Sequence, residues 1–233
     1  MSRRKEFIIA LFLLFLPLSA FAGTTARELL DVLESGYGSM EDLQADFSQK
    51  TYIGSIKREE KGGGELFLKK KGGVAMFRFN YSKPKQQIVS NGKTLWYYLP
   101  ENRQVIQSSA AAIFSGGNAI AMSYLTGLGS LSADFNARLI SPEPDSRGSY
   151  QLELVPKKHN QSVARLVLTV PGEAVEKHRG GEKGALFPVA ASVLHDQMGN
   201  RTTIDYSRVR VNRGLGSDRF SFRIPPGVEV IKQ

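Results

Sequence analysis

Apolar and polar residues alternate along most of the chain beyond residue 40, which predicts β-strands. Leu43, Ala45 and Phe47 share one face of the first strand, and polar residues occupy the positions between them. The same period of two recurs over residues 65–69 and 76–81. Further strands are expected at about 133–140, 149–155, 163–170, 188–196 and 200–211.

A helix is predicted before the first strand. Thr24 or Thr25 can cap its N-terminus, and the helix should end near Gly36 or Gly38. Its apolar residues are Leu29, Leu30, Val32 and Leu33. A run of three glycines, residues 62–64, is expected to precede the strand at 65–69.

Residues 88–97 carry the clearest local signal. Asn91 and Gly92 lie between two β-rich runs, which favours a type I′ hairpin because both turn residues need positive φ. With that turn, Ile88 lies opposite Leu95 on the more apolar face, and Trp96 lies on the other face.

Residues 104–133 contain no charged side chain and are rich in small residues. We expect two short helices or loops that hinge at Gly116-Gly117, although residues 102–107 could add a strand. Near the C-terminus, Pro225-Pro226-Gly227 separates two short apolar runs and marks the end of the sheet. One β-dominated domain with a few helices is the simplest interpretation.

The first 22 residues have the pattern of a secretory signal peptide. A basic start (Arg3, Arg4 and Lys5) precedes an apolar run over 7–18, and Ala20 and Ala22 provide the small residues that a signal peptidase reads. The alternative is an anchor helix, but the run is shorter than the roughly 20 residues that a span needs. We expect cleavage after residue 22 and a mature chain, residues 23–233, that is soluble and periplasmic.

The amino-acid composition excludes several kinds of site and limits the expected partners. The 233 residues carry 31 Lys and Arg against 22 Asp and Glu, a formal charge of +9, and no Cys. The absence of Cys excludes disulfides, thiolate metal sites, a Cys nucleophile and a lipid attached through Cys. The basic residues at 57–71 would suggest nucleic acid in a cytosolic protein. Export favours anionic lipid head groups, other envelope polymers or an acidic protein patch, so no nucleic-acid partner is expected.

Enzyme chemistry is hard to place in this sequence. Of three histidines, none has a second His at metal-ligand spacing, so no metal or other cofactor is expected. His195-Asp196 could belong to a triad, but no Gly-x-Ser-x-Gly motif supplies the serine. Gly92-Lys93-Thr94 lacks the earlier glycine of a phosphate-binding loop. We therefore predict a protein that is not an enzyme.

Four segments, in order behind the signal peptide, resemble one known family. They are 43–50; 64–70 followed by 77–81; 88–98; and 220–222 followed by 225–230. The chain is similar to the periplasmic outer-membrane lipoprotein carrier (LolA) family across essentially the whole mature sequence. The resemblance implies an open, strongly curved antiparallel β half-barrel, mainly β with a few helices, which a helical lid caps.

The family resemblance also implies a function. Members shield the acyl chains of lipoproteins in a hydrophobic cavity, receive them from an inner-membrane ABC transporter and deliver them to an outer-membrane acceptor. A monomer is expected. Alternation assigns the cavity to Phe47, Leu66, Leu68, Phe77, Phe79, Ile88 and Leu95. The uncharged segment supplies the lid candidates Ile113, Phe114, Ile120, Met122 and Leu125.

One departure from the family concerns lid closure. Members often have Arg-Pro where this chain has Lys70-Lys71-Gly72-Gly73, and that arginine helps to hold the lid closed. Lys70 keeps the charge but lacks the planar donor fork of arginine. Lys70 and Arg78 are the candidates for lid closure or docking.

Two alternatives remain open at this stage. A carrier or sensor of another envelope lipid could share the fold, because fold does not fix function. An exported β-rich hydrolase would need a polar catalytic cluster inside the cavity.

Overall fold

The computed structural model describes residues 23–115, 130–182 and 187–233, and for residues 113–115 the backbone only. Four α-helices lie in these ranges: α1 (Ala26–Ser39), α2 (Ala110–Ser115), α3 (Leu131–Asp134) and α4 (Gly172–Arg179). A 3₁₀ turn covers Ser217–Phe220. Within these residues, no helix has the length and apolar character needed to cross a membrane. The strands are β1 (Asp42–Ile53), β2 (Arg58–Lys71), β3 (Val74–Lys83), β4 (Gln86–Ser90), β5 (Thr94–Leu99), β6 (Gln104–Ser109), β7 (Phe135–Leu139), β8 (Ser149–Pro156), β9 (Arg165–Pro171), β10 (Ala191–His195), β11 (Arg201–Val211) and β12 (Glu229–Lys232).

All twelve strands form one curved sheet in the order β12-β6-β5-β4-β3-β2-β1-β11-β10-β9-β8-β7. Every neighbouring pair is antiparallel except β12 and β6, which run parallel. In the described ranges β12 and β7 are edge strands, so the sheet stays open. The predicted fold class, mainly β with an open, strongly curved antiparallel sheet, is confirmed.

Helix α1 begins as the sequence predicts and ends later. The Thr25 hydroxyl accepts a hydrogen bond from the Glu28 backbone N–H at 3.1 Å. The helix continues through Gly36 and ends at Ser39, one residue beyond the predicted end at Gly38. Gly36 lies against Pro188, and a Cβ at this position would be 2.7 Å from the proline ring. Close packing, rather than helix termination, explains this glycine.

Strand β2 also differs from the prediction, because it begins at Arg58 and contains the glycine run. Register shifts between Gly63 and Gly64 where β2 pairs with β3. A Cβ on Gly64 would lie 1.9 Å from the Asn80 carbonyl oxygen. The glycines therefore allow a close backbone approach inside a strand and do not precede it.

The hairpin of β4 and β5 has the predicted faces but a different register. Ser90 lies opposite Leu95, and Ile88 lies opposite Tyr97, two residues from the predicted pairing. The Asn91 side chain accepts the backbone N–H groups of residues 93 and 94 at 2.9 and 2.8 Å, and only the glycine of the pair has positive φ. Asn91 therefore acts through its side chain, which places the turn one residue later. A shift of two leaves every side chain on its predicted face.

The C-terminal residues also depart from the simple alternation. Residues 221–224 are not a strand, and Glu229–Lys232 forms the parallel edge strand β12. Helix α4, after Pro171, was not predicted, since no side chain caps its N-terminus.

One large cluster lies on the inner face of the sheet. Residues from nearly every strand meet in this cluster, which requires the sheet to curve around them. Helix α1 contributes its buried side chains and lies closest to α3, α4 and β7. The core of the fold therefore sits between α1 and the half of the sheet that ends at β7.

A second cluster lies on the outer face of β2 and β3. It contains four buried residues, Phe67, Met76, Leu215 and Phe220, and we call it the outer cluster. The C-terminal segment, residues 213–228, covers it. Alternation assigned Phe67 to the polar face of its strand, but both faces of β2 are buried at this point.

Hydrogen bonds from charged groups fix the C-terminal segment in place. The buried Asp42 carboxylate accepts the backbone N–H groups of residues 213, 214 and 215 at 2.8 to 3.0 Å. Arg78 donates to the carbonyl oxygens of Arg219 and Ser221 at 3.2 and 3.4 Å. Lys69 donates to the carbonyl oxygen of Leu215.

Candidate functional site

The structure brings all seven predicted cavity residues to the inner face. They come from five adjacent strands, β1 to β5, and belong to one cluster. Phe47, Leu66, Leu68, Phe77 and Phe79 are at most 8% exposed. Ile88 and Leu95 are only partly buried at its margin. Their place in one apolar surface is established, whereas the binding of acyl chains remains a prediction.

Aromatic rings form a continuous strip along this surface. The rings of Phe47 and Phe79 meet edge to face with centroids 5.6 Å apart, and Phe47 and Tyr81 do so at 4.9 Å. Phe77 extends the strip, with its centroid 6.0 Å from that of Phe79. Tyr81 was predicted to share the face of Phe77 but was not selected as a site residue.

Hydroxyl and amide groups occupy the end of the inner face farthest from α1. The Tyr81 hydroxyl donates to Gln49 Oε1 at 3.0 Å, and Gln49 Nε2 donates to Thr51 Oγ1 at 3.1 Å. Tyr97 donates to Gln86 Oε1 at 2.8 Å. Burial, which penalises the phenolate, raises the pKa of Tyr81 to about 12. At neutral pH these hydroxyl and amide groups are therefore polar but uncharged.

The half of the inner face near β7 is closed by helix contacts. Tyr37 of α1 packs edge to face against Phe187, with centroids 5.7 Å apart. Arg179 of α4 holds the Glu28 carboxylate of α1 at 2.6 and 2.9 Å. That hydrogen bond lowers the pKa of Glu28 below its usual value. The contacts fix α1 over one half of the sheet and leave Ile88 and Leu95 in the other half.

The two candidates for lid closure or docking lie on opposite faces. Lys70 donates to the Tyr37 carbonyl oxygen near the C-terminus of α1, and burial lowers its pKa. Arg78 faces outward and donates to the C-terminal segment. A closing or docking role for either residue remains a prediction. Of the lid candidates, Ile120, Met122 and Leu125 lie outside the described residues, as do the hinge at 116–117 and the side chains of Ile113 and Phe114.

The histidine of the candidate triad lies beside arginine. Nε2 of His195 is 3.2 Å from an Arg165 nitrogen. Burial lowers the pKa of His195, and Arg165 and Arg201 lower it further. Among the described residues, no group of three His, Asp or Glu side chains is arranged to hold a metal ion.

An open, strongly curved sheet with a largely apolar inner surface defines the class of protein, a β half-barrel, and comparison with known proteins agrees. The sequence profile of the family "Outer membrane lipoprotein carrier protein LolA" matches residues 38–184. The chain belongs to this family. Outer-membrane lipoprotein carrier proteins from Chromobacterium violaceum and Methylococcus capsulatus are 31% and 27% identical to it, and the alignments cover 92% and 95% of this chain and 91% and 97% of those proteins.

A solved structure supports the fold. An uncharacterized conserved protein from Thermus thermophilus superposes with a TM-score of 0.52 at 16% identity, covering 89% of this chain and 99% of that one. The LolA family, to which the chain belongs, is a family of non-enzymatic lipoprotein carriers.

Proposed function

We propose that this protein shields the acyl chains of lipoproteins against the inner face of its sheet and moves them from the inner to the outer membrane. An inner-membrane ABC transporter would load it and an outer-membrane acceptor would unload it. The signal-peptide pattern of residues 1–22 supports a periplasmic route.

The supporting observation is the aromatic strip with its half-buried margin. The inner-face positions of β3, β4 and β5 from residue 75 to 81, 86 to 90 and 95 to 99 carry no charge. Ile88 and Leu95 extend the apolar surface beyond the part that α1 covers. Each CH₂ of an acyl chain costs about 0.8 kcal/mol when exposed to water, so a carrier needs such a surface.

Release must accompany binding. A cover that packs on the same apolar face competes with cargo, and this competition keeps the affinity low enough for transfer. The polar end at Gln49, Tyr81 and Tyr97 supplies donors and acceptors that remain neutral at physiological pH. The mechanism therefore requires no bond chemistry and no cofactor.

Paired charge substitutions test the assigned surface. Ile88→Glu places a carboxylate on the inner face, and Gln87→Glu places the same group on the outer face beside Arg78. We expect Ile88→Glu to abolish lipoprotein release from spheroplasts and Gln87→Glu to leave it intact. Phe79→Glu with Asn80→Glu repeats the comparison on β3. Normal release by folded Ile88→Glu and Phe79→Glu variants would reject the inner face as the cargo surface.

Native mass spectrometry of the protein purified from the periplasm identifies the cargo class. We expect a co-purified acylated lipoprotein. Free phospholipid or another envelope lipid in its place would favour a carrier of a different lipid on the same fold.

A further inference from the structure

Three hairpin tips at one end of the sheet form a continuous edge. The Gly54 N–H donates to Asn200 Oδ1 at 2.9 Å and joins the first tip to the third. Gln197 Nε2 donates to the Asn160 carbonyl oxygen at 3.2 Å and joins the third tip to the second. We call this the lower edge, and it consists of residues 54–57, 157–164 and 196–200.

Two large apolar side chains project from the lower edge. Met198 is 76% exposed and Ile56 is 58% exposed, the highest values for large apolar residues in the described part of the chain. At the opposite end of the sheet, Val74 and Ile140 are each 44% exposed. Met198 and Ile56 lie at turns rather than in a contiguous apolar patch.

Acidic groups near these tips already have partners. Glu60 forms an ion pair with Arg58, and Glu59 lies 3.5 Å from Lys61. The Asp196 carboxylate accepts backbone N–H groups of its own turn at 2.8 and 2.9 Å. The charges of Glu60 and Glu59 are therefore balanced by Arg58 and Lys61, whereas Asp196 keeps its negative charge.

Four cations lie at or directly beside the lower edge. Lys57, Lys158 and Arg201 are exposed and form no ion pair with another described residue. Lys157 is also exposed and donates to the Ser132 carbonyl oxygen at 2.9 Å. Because these four cations outnumber the one unbalanced carboxylate of Asp196, the field in front of the two apolar side chains is positive.

We propose that the lower edge docks on the surface of an anionic phospholipid bilayer. Ile56 and Met198 enter the head-group region, and Lys57, Lys158 and Arg201 face lipid phosphates. The head-group region of a bilayer can take up isolated apolar side chains, and its anionic lipids attract the cations around them. A stable protein interface would bury about 800 Å² on each partner, and two separate side chains at turns do not provide a patch of that kind.

Vesicle co-sedimentation of the mature protein tests this proposal independently of cargo. We expect binding to phosphatidylcholine vesicles that contain phosphatidylglycerol and little binding to phosphatidylcholine alone. Lys57→Gln combined with Arg201→Gln should weaken binding about 25-fold, since each cation near an anionic surface contributes about fivefold. Salt near 1 M, with a Debye length of about 3 Å, should have a similar effect.

The apolar contribution needs its own matched variants. Ile56→Ser with Met198→Ser should reduce vesicle binding at least about fivefold. Val74→Ser with Ile140→Ser removes comparable exposed residues from the opposite end and should change nothing. Equal losses in both pairs, or no anionic-vesicle binding by the folded protein at low salt, would overturn the proposal. The second result would leave an acidic protein as the partner of the edge.

Discussion

The two faces of strands β2 to β5 both bury aromatic residues, but different contacts close them. On the outer face, charged groups of Asp42, Arg78 and Lys69 bind the backbone of the C-terminal segment. On the inner face, the hydroxyls of Tyr81 and Tyr97 bind glutamines of other strands in the same sheet. The outer cluster is thus a fixed core. The inner surface, in the half that α1 leaves uncovered, is available for cargo under the function proposed above.

The two faces should differ most in the free energy of unfolding that is lost when one apolar side chain on each face is truncated. Phe220 is 0% exposed, so Phe220→Ala should lower the free energy of unfolding by about 3–5 kcal/mol. Ile88 is half-buried, and Ile88→Ala should cost about 1 kcal/mol. Urea denaturation measures both values. Equal losses would show that the inner margin is as fixed as the outer cluster.

The anchor of the C-terminal segment should have the next largest effect. Asp42→Ala removes an acceptor for three backbone N–H groups and should cost about 3 kcal/mol. Asp31→Ala, which removes an exposed ion pair with Arg27, is the control and should cost less than about 1 kcal/mol. Comparable urea midpoints for the two variants would contradict the role assigned to Asp42.

The stabilisation that the Arg179–Glu28 contact between α4 and α1 provides should depend on pH. Arg179 lowers the pKa of Glu28 in the folded state, so its stabilisation is complete above the unfolded pKa of about 4.3 and disappears as pH falls through the folded value. Glu28→Gln should therefore cost about 1 kcal/mol at neutral pH. In acid, where the parent carboxyl is protonated, the difference should vanish. A constant difference across this range would exclude the ion pair as its source.

Lys70 should have the smallest effect. It donates one hydrogen bond to α1, and Lys70→Ala should lower the free energy of unfolding by about 1 kcal/mol. Lys70→Arg, which keeps a charged donor at this position, should recover most of that loss. Recovery by Lys70→Met instead would show that stem packing, rather than the donor, carries the effect.

Alternation along single strands was enough to place all seven inner-face residues and the two faces of the β4–β5 hairpin. It could not place Phe67, because the segment that buries its ring lies about 150 residues later in the chain. The predicted register of the hairpin was wrong for a local reason, because Asn91 caps the turn with its side chain.

Helix α4 was missed because no capping side chain precedes it, and its contact with α1 through Arg179 is visible only in the folded chain. The exposed pair Ile56 and Met198 was missed for a similar reason. The two residues are far apart in sequence, and the pairing of β1 with β11 brings their turns together.

Site-specific photo-crosslinking in the periplasm tests the central claim most directly. A benzophenone side chain at Leu95 lies on the inner face, and the same group at Trp96, the next residue, lies on the outer face. We predict crosslinks to acylated lipoprotein from position 95 and none from position 96. Crosslinks of equal yield from both positions, or from position 96 alone, would contradict the assignment of cargo to the inner face.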